Sequence, residues 1–215
     1  MEILLLIVII IISYLLGSIN TSILVSKIYG KDIRDHGSGS AGATNTLRTF
    51  GKGAAVFVVI GDVLKGVAAI IICGLLTALF ANLYKGADFD KFIDIYKYSA
   101  GFFAVLGHNF PVYFKFKGGK GVLTSAAVVA MLAPVIFLYL IAIFAIIVIL
   151  TRYVSLGSIV AAVALIIFAL VLDRGNAAFL VFAIAAGILV VIMHRANIAR
   201  LIAGKENKLT FKRNN

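Results

Sequence analysis

A chain of 215 residues that is 62% hydrophobic, only 13% charged and of mean hydropathy +1.10 is too apolar for a water-soluble globule of its size, so lipid is its main solvent. The net charge of +11 would point to nucleic acid in a soluble protein; here the basic residues gather in short segments between apolar runs, the pattern of membrane topology, and no nucleic-acid partner is expected. The single cysteine, Cys73, lies inside an apolar run, which excludes a disulfide framework and a cysteine-based metal site.

No linker composition or internal repeat divides the sequence, and 1–215 reads as one membrane-embedded domain. The first apolar run, Ile3 to Leu24, follows Met1 and Glu2 without a basic segment or a small-residue cleavage pattern, so a retained first helix is expected. A basic loop from Lys27 to Lys52 precedes the second run, Ala54 to Phe80. The third run starts at Tyr98 and should stop near His108, because Pro111 forces Phe110 out of helical geometry. Lys115, Lys117 and Lys120 then lead into a long run, Val122 to Leu150, with Pro134 inside it. Leu156 to Leu172 and Ala177 to Met193 are the last two runs, before a basic tail.

The loop after the first run, the Lys115 to Lys120 segment and the tail should all be cytoplasmic. Only an even number of crossings between Lys120 and Arg195 leaves both on one side, and splitting the long run near Pro134 supplies it. The predicted fold is therefore all-α, a polytopic integral membrane protein with about seven transmembrane helices, N-terminus outside and C-terminus cytoplasmic. Arg152 falls in an inner turn, and Asp173 to Asn176 and the near-neutral stretch Ala81 to Lys97 fall outside. The two halves of the split run would be short for a hydrocarbon core, which implies local thinning or loops that dip inward.

Three segments carry chemistry. In the first, Gly37, Ser38, Gly39, Ser40, Thr44, Asn45 and Arg48 combine small residues, which let backbone amides converge, with hydroxyl, amide and guanidinium donors. That is a phosphate-binding composition, set against the plain alternative of a flexible spacer. In the second, Gly118, Gly119, Lys120 and Gly121 resemble part of a phosphate loop, but Phe114 and Gly121 stand where a Walker motif needs Gly and Ser or Thr. A helix beginning near Gly121 would add its N-terminal amides, with Lys120 as a point charge. In the third, His194 and Asn197 lie three apart and share a helical face, and Glu206 follows.

Asp62 and Lys65, three apart inside the second helix, are either functional or simply paired with each other. Ser155 and Ser158 flank the inner turn at Arg152, and either could donate to an anion. His108 belongs to the second segment with no assigned role. The sequence holds no HExxH, CxxC or His/carboxylate cluster for a metal, no GxSxG elbow and no HxxxxD pair, so neither metal, serine-nucleophile nor HxxxxD acyl-transfer chemistry is expected.

Read together, GSINTSIL at Gly17 to Leu24, GSGSAGATNTLRTFG at Gly37 to Gly51, GDVLKG at Gly61 to Gly66, GHNFPVYFKFKGGKGV at Gly107 to Val122 and HRANIARLIAGKENK at His194 to Lys208 resemble the PlsY family of bacterial acyl-phosphate:glycerol-3-phosphate acyltransferases. The resemblance implies transfer of a fatty acyl group from acyl phosphate to the 1-hydroxyl of sn-glycerol 3-phosphate, without a cofactor or an obligate protein partner, at the cytoplasmic face of the bacterial inner membrane. It also implies functional roles for Ser38, Thr44 and Arg48, for Gly118, Gly119 and Lys120, and for His194, Asn197 and Ser155, with Glu206 structural. The proton acceptor stays open between His194 and a phosphate oxygen of the donor. An anion transporter, the rival reading, predicts paired repeats in the two halves, and the sequence has none; a bare membrane scaffold leaves the loop donors without a purpose.

Overall fold

The computed structural model describes residues 1–83 and 92–209, and the described residues contain ten α-helices and no strand. They fall into two compact units, Met1–Ala133 and Pro134–Asn215. Residues 84–91 of the stretch expected at Ala81 to Lys97 lie outside the described residues, as does the end of the basic tail.

The first unit holds α1 (Glu2–Ser18), α2 (Thr21–Ile28), α3 (Ala43–Phe50), α4 (Lys52–Leu83), α5 (Ile93–Asn109) and α6 (Val122–Leu132). The expected first run is not one helix: the chain breaks at Ile19 and Asn20, and the Asn20 side chain accepts from the Ile23 amide at 3.1 Å to start α2. Helices α1 and α5 approach closely where Gly17 meets the Ala104 carbonyl and Gly107 meets the Tyr14 carbonyl. A methyl at either position would collide with backbone, the small-residue contact typical of helices packed in lipid. Helix α4 turns Val58, Asp62, Lys65, Ala69 and Cys73 inward along one stripe, and this carries two charges into the unit.

Helix α5 begins five residues before Tyr98, at Ile93, and ends at Asn109, with Phe110 at φ −126° and ψ 65° ahead of Pro111 as expected. Ala133 interrupts the long run at φ −141°, and Pro134 opens the next helix, where its missing N–H costs nothing.

The second unit holds α7 (Pro134–Thr151), α8 (Val154–Leu172), α9 (Ala177–Met193) and α10 (Arg195–Ile202). Only one half of the split run is short. Helix α6 has 11 residues, roughly 16 Å of rise, whereas α7 has 18 and is long enough to cross. Helix α7 buries only Ile136 and Leu140, leaving an apolar surface that lipid must solvate. By length and composition four segments can span a bilayer, Glu2–Ile28, Lys52–Leu83, Pro134–Thr151 and Val154–Leu172, and Ala177–Met193 with Arg195–Ile202 makes a fifth, bent by 56°.

Candidate active site

The first segment, expected as a single loop, is divided. Residues 36–42 turn tightly, with Gly37 and Gly39 at φ +58° and +70°, and Ala43–Phe50 then form α3 behind an extended Gly42. Asn45 explains the turn. Its buried side chain accepts from the Ser38 amide at 2.9 Å and donates to the His36 and Ile33 carbonyls at 2.9 and 3.2 Å. Thr46 shares a hydrogen bond with Ser22 of α2 at 2.8 Å, and Phe50 stacks on Tyr29 at 4.8 Å, so α3 is fastened to α2.

One expectation changes as a result. The amides of Ser38, Gly39 and Gly42 bond within the turn itself, to Asn45, His36 and Ser40, and do not converge on an outside anion. The segment's side-chain donors are the half-buried hydroxyls of Ser38, Ser40 and Thr44 and the exposed guanidinium of Arg48.

The second segment folds back on the end of α5. The Gly118 amide donates to the Asn109 carbonyl at 3.1 Å and the Gly119 amide to the His108 carbonyl at 3.2 Å, while Gly121 at φ +77° starts α6. Here the glycines answer to close approach. A methyl on Gly118 would strike the His108 carbonyl, and one on Gly119 would strike both the His108 ring at Nε2 and the Ala41 carbonyl. The first and second segments therefore meet at Gly119.

Arg34 ties them from outside. It donates through Nη1 to the Phe114 and Lys117 carbonyls at 3.1 and 3.3 Å, and through Nε and Nη2 to the Asp32 carboxylate at 2.9 and 2.6 Å. Those bonds from Arg34 outweigh desolvation and hold the Asp32 carboxyl at about 2, and the same pairing raises Arg34. Sequence reading treated Arg34 as a topology charge only; Asp32 two residues before it was the available signal.

Asp62, Lys65 and His108 come together in the buried interior of the first unit. Lys65 Nζ lies 2.8 Å from Asp62 Oδ1 and 2.7 Å from His108 Nδ1, and donates to the Ile19 carbonyl at 3.1 Å. Asp62 and Lys65 are indeed paired, and a histidine 43 residues on completes the cluster, which no sequence spacing announces. The ion pair sits where lipid would leave either charge alone at a cost of several kcal/mol, so each requires the other.

In the second unit, His194 stands at the bend between α9 and α10, buried, with Nδ1 at 2.8 Å from the Val190 carbonyl. A carbonyl only accepts, so the ring proton is on Nδ1. Gly204 at φ +66° and the Lys205 amide bond to Arg200 at 2.8 Å return the chain so that Glu206 reaches α10. Asn197 and Ser155 donate to Glu206 Oε1 at 2.8 and 3.1 Å, and Arg200 donates to Oε2 at 2.7 Å. Burial works against the Glu206 carboxylate, but the bonds from Asn197, Arg200 and Ser155 prevail and lower its pKa. Ser158 instead bonds the Val154 carbonyl of its own helix, so Ser155 is the serine that joins this cluster. The buried Asn197 Oδ1 accepts nothing among the described residues.

The described residues contain no group of three or more His, Cys, Asp or Glu placed to hold a metal. The family model described as glycerol-3-phosphate acyltransferase matches residues 7–204. The chain belongs to that family. Within the glycerol-3-phosphate acyltransferases it is 43% identical over 218 residues to a protein of that name from Clostridioides difficile strain 630, covering 99% of this chain and 100% of the relative. It is 43% identical over 202 residues to another from Bacillus cytotoxicus, covering 94% and 93%. Among solved structures it superposes on PlsY, an integral membrane glycerol 3-phosphate acyltransferase, in its glycerol 3-phosphate form with a TM-score of 0.80 and 35% identity, over 95% of this chain and 96% of that one. The lysophosphatidic acid form of PlsY gives 0.76 at the same identity. The acyltransferase family membership and the integral membrane architecture agree with the reading of the sequence.

Proposed function

We propose that this acyltransferase moves a fatty acyl group from acyl phosphate to the 1-hydroxyl of sn-glycerol 3-phosphate, the first acylation of phospholipid synthesis. The glycerol hydroxyl oxygen forms the new ester bond to the acyl carbon, the bond from that carbon to the phosphate oxygen breaks, and inorganic phosphate leaves with the hydroxyl proton. The products are lysophosphatidic acid and phosphate. The observation that carries this reading is the meeting of two glycine-bearing, donor-rich segments at Gly119, because a phosphorylated acceptor and a phosphorylated donor call for two anion-binding surfaces side by side.

Acyl phosphate is already activated, so orientation and charge stabilisation account for transfer without a covalent enzyme intermediate. Within the first unit the Ser38, Ser40 and Thr44 hydroxyls bind the acyl phosphate, while Arg48 and Lys120 bind glycerol phosphate, with Gly118, Gly119 and Gly121 holding Lys120 in place. Within the second unit His194 and Asn197 carry the roles that the family resemblance implies, and Ser155 and Glu206 fix Asn197. The departing phosphate oxygen takes the proton. His194 is the competing acceptor, since its Nδ1–H is given to the Val190 carbonyl and Nε2 is the ring nitrogen left to take a proton in this reading. The same reading places the protein in the bacterial cytoplasmic membrane with seven crossings, the N-terminus outside, and the site facing the cytoplasm, residues 1–215 forming one acyltransferase domain.

Purified protein supplied with glycerol 3-phosphate and, side by side, acyl phosphate, acyl-CoA or acyl carrier protein conjugate tests the donor: lysophosphatidic acid should form from acyl phosphate alone. Product from either thioester at a comparable rate overturns the donor assignment. His194→Gln should keep measurable turnover where Arg48→Ala loses roughly 10²–10³-fold; an equal loss of kcat in both, with KM for glycerol 3-phosphate unmoved in His194→Gln, would make His194 the acceptor of the proton.

A further inference from the structure

From the buried cluster we infer that Lys65, acting through His108, is a positioning residue for the glycerol phosphate-binding segment, an inference that rests on the assignment of Gly118–Gly121 and Lys120 above. Lys65 Nζ pairs with the Asp62 carboxylate at 2.8 Å and lies within hydrogen-bond distance of His108 Nδ1 at 2.7 Å and the Ile19 carbonyl at 3.1 Å, while Asp62 Oδ1 also lies 3.6 Å from His108 Nδ1. With Lys65 as the ammonium partner of Asp62, His108 Nδ1 accepts from it and the imidazole proton is on Nε2. That nitrogen abuts Gly119, where an added methyl would meet both it and the Ala41 carbonyl, the place where the glycine-bearing segments touch.

The cluster thus holds three backbone segments at once. Lys65 holds the break between α1 and α2 at Ile19, whose neighbour Asn20 reaches the Ala41 carbonyl at 3.5 Å. His108 backs the Ala41 and Gly119 contact with its ring and receives the Gly119 amide on its own carbonyl. Thr124 of α6 bonds the Asp62 carbonyl at 3.2 Å, which fixes the start of the helix that follows Lys120. Ser38 and Thr44 are half-buried and Arg48 is exposed, whereas the ring and both charges are buried. They act on substrate only by setting where Gly119 and Lys120 stand.

Two variants separate positioning from plain stability. His108→Asn keeps an acceptor for Lys65 at the Nδ1 position but removes the ring edge from Gly119, and Lys65→Met removes the hub. In purified protein, KM for glycerol 3-phosphate should rise about ten- to a hundredfold in both, with KM for acyl phosphate changed less than about threefold. Thermal midpoints are measured alongside, because lost folding lowers the active fraction without moving KM. If Lys65→Met does not fold, His108→Asn decides alone. An unchanged KM for glycerol 3-phosphate in His108→Asn overturns the inference. Lys120→Ala is the separate control: if it leaves that KM unmoved, the assignment of the glycine segment has failed and not the role of Lys65.

Discussion

The two units solve the same problem, polar groups held in an apolar surrounding, in opposite ways. In Met1–Ala133 the work is distributed: Asn45 folds the first turn, Asn20 caps α2 and reaches Ala41, Arg34 brackets the second segment, and Lys65 joins Asp62, His108 and Ile19. In the second unit one carboxylate, Glu206, collects Ser155, Asn197 and Arg200. A distributed arrangement should degrade gradually under substitution, and a hub should fail at one residue.

The sharpest way to break this contrast is Glu206→Ala. It strands the buried donors of Asn197 and Ser155 and unpairs Arg200, and should cost about 2–3 kcal/mol, below the full range for a buried pair because Arg200 keeps part of its exposure. The thermal midpoint in detergent should fall by roughly 5–10 °C. A shift under about 2 °C would show that Glu206 is no hub. Asn20→Ala in the first unit should cost only about 1 kcal/mol, the worth of a helix cap, since Lys65 still holds Ile19 beside it. A loss as large as that of Glu206→Ala would make the first unit a hub too.

The smallest effect concerns acid. Asp32 has its pKa lowered from 3.8 to about 2, so its contribution is complete above the higher value and disappears as pH falls through the lower one. Asp32→Asn should remove a stability loss between about pH 4 and pH 2, worth under about 1 kcal/mol because the pair is partly exposed. Acid unfolding curves that coincide for parent and variant would assign that limb to other groups.

All six apolar runs were legible as helical because length and hydropathy alone mark them, and the stops at Phe110 and Ala133 were legible because proline leaves a local steric signature. Three features were not. Ile19 and Ile23 bury the break at Asn20 inside an apolar run, although Asn-Thr-Ser is an N-cap pattern. Glycine and serine made 37–48 look like loop throughout, while α3 owes its existence to tertiary contacts with α2. The meeting of Lys65 with His108 spans 43 residues and follows from helix packing, which no local pattern encodes. Composition and resemblance pick out the candidate site residues, whereas their bonding partners follow from packing, and Asn45 is a loop fastener and not a ligand donor.

The glycine crossing of α1 and α5 also sets a schedule for biogenesis. Gly107 leaves the ribosome about 90 residues after Gly17, a delay of roughly 5–20 s at ordinary elongation rates. Until then the first helix is in the bilayer without the neighbour that will receive the Tyr14 hydroxyl at the Phe110 carbonyl. Ser18 already bonds back to the Tyr14 carbonyl of its own helix, which lets part of that polar face wait in lipid for its partner to be synthesised.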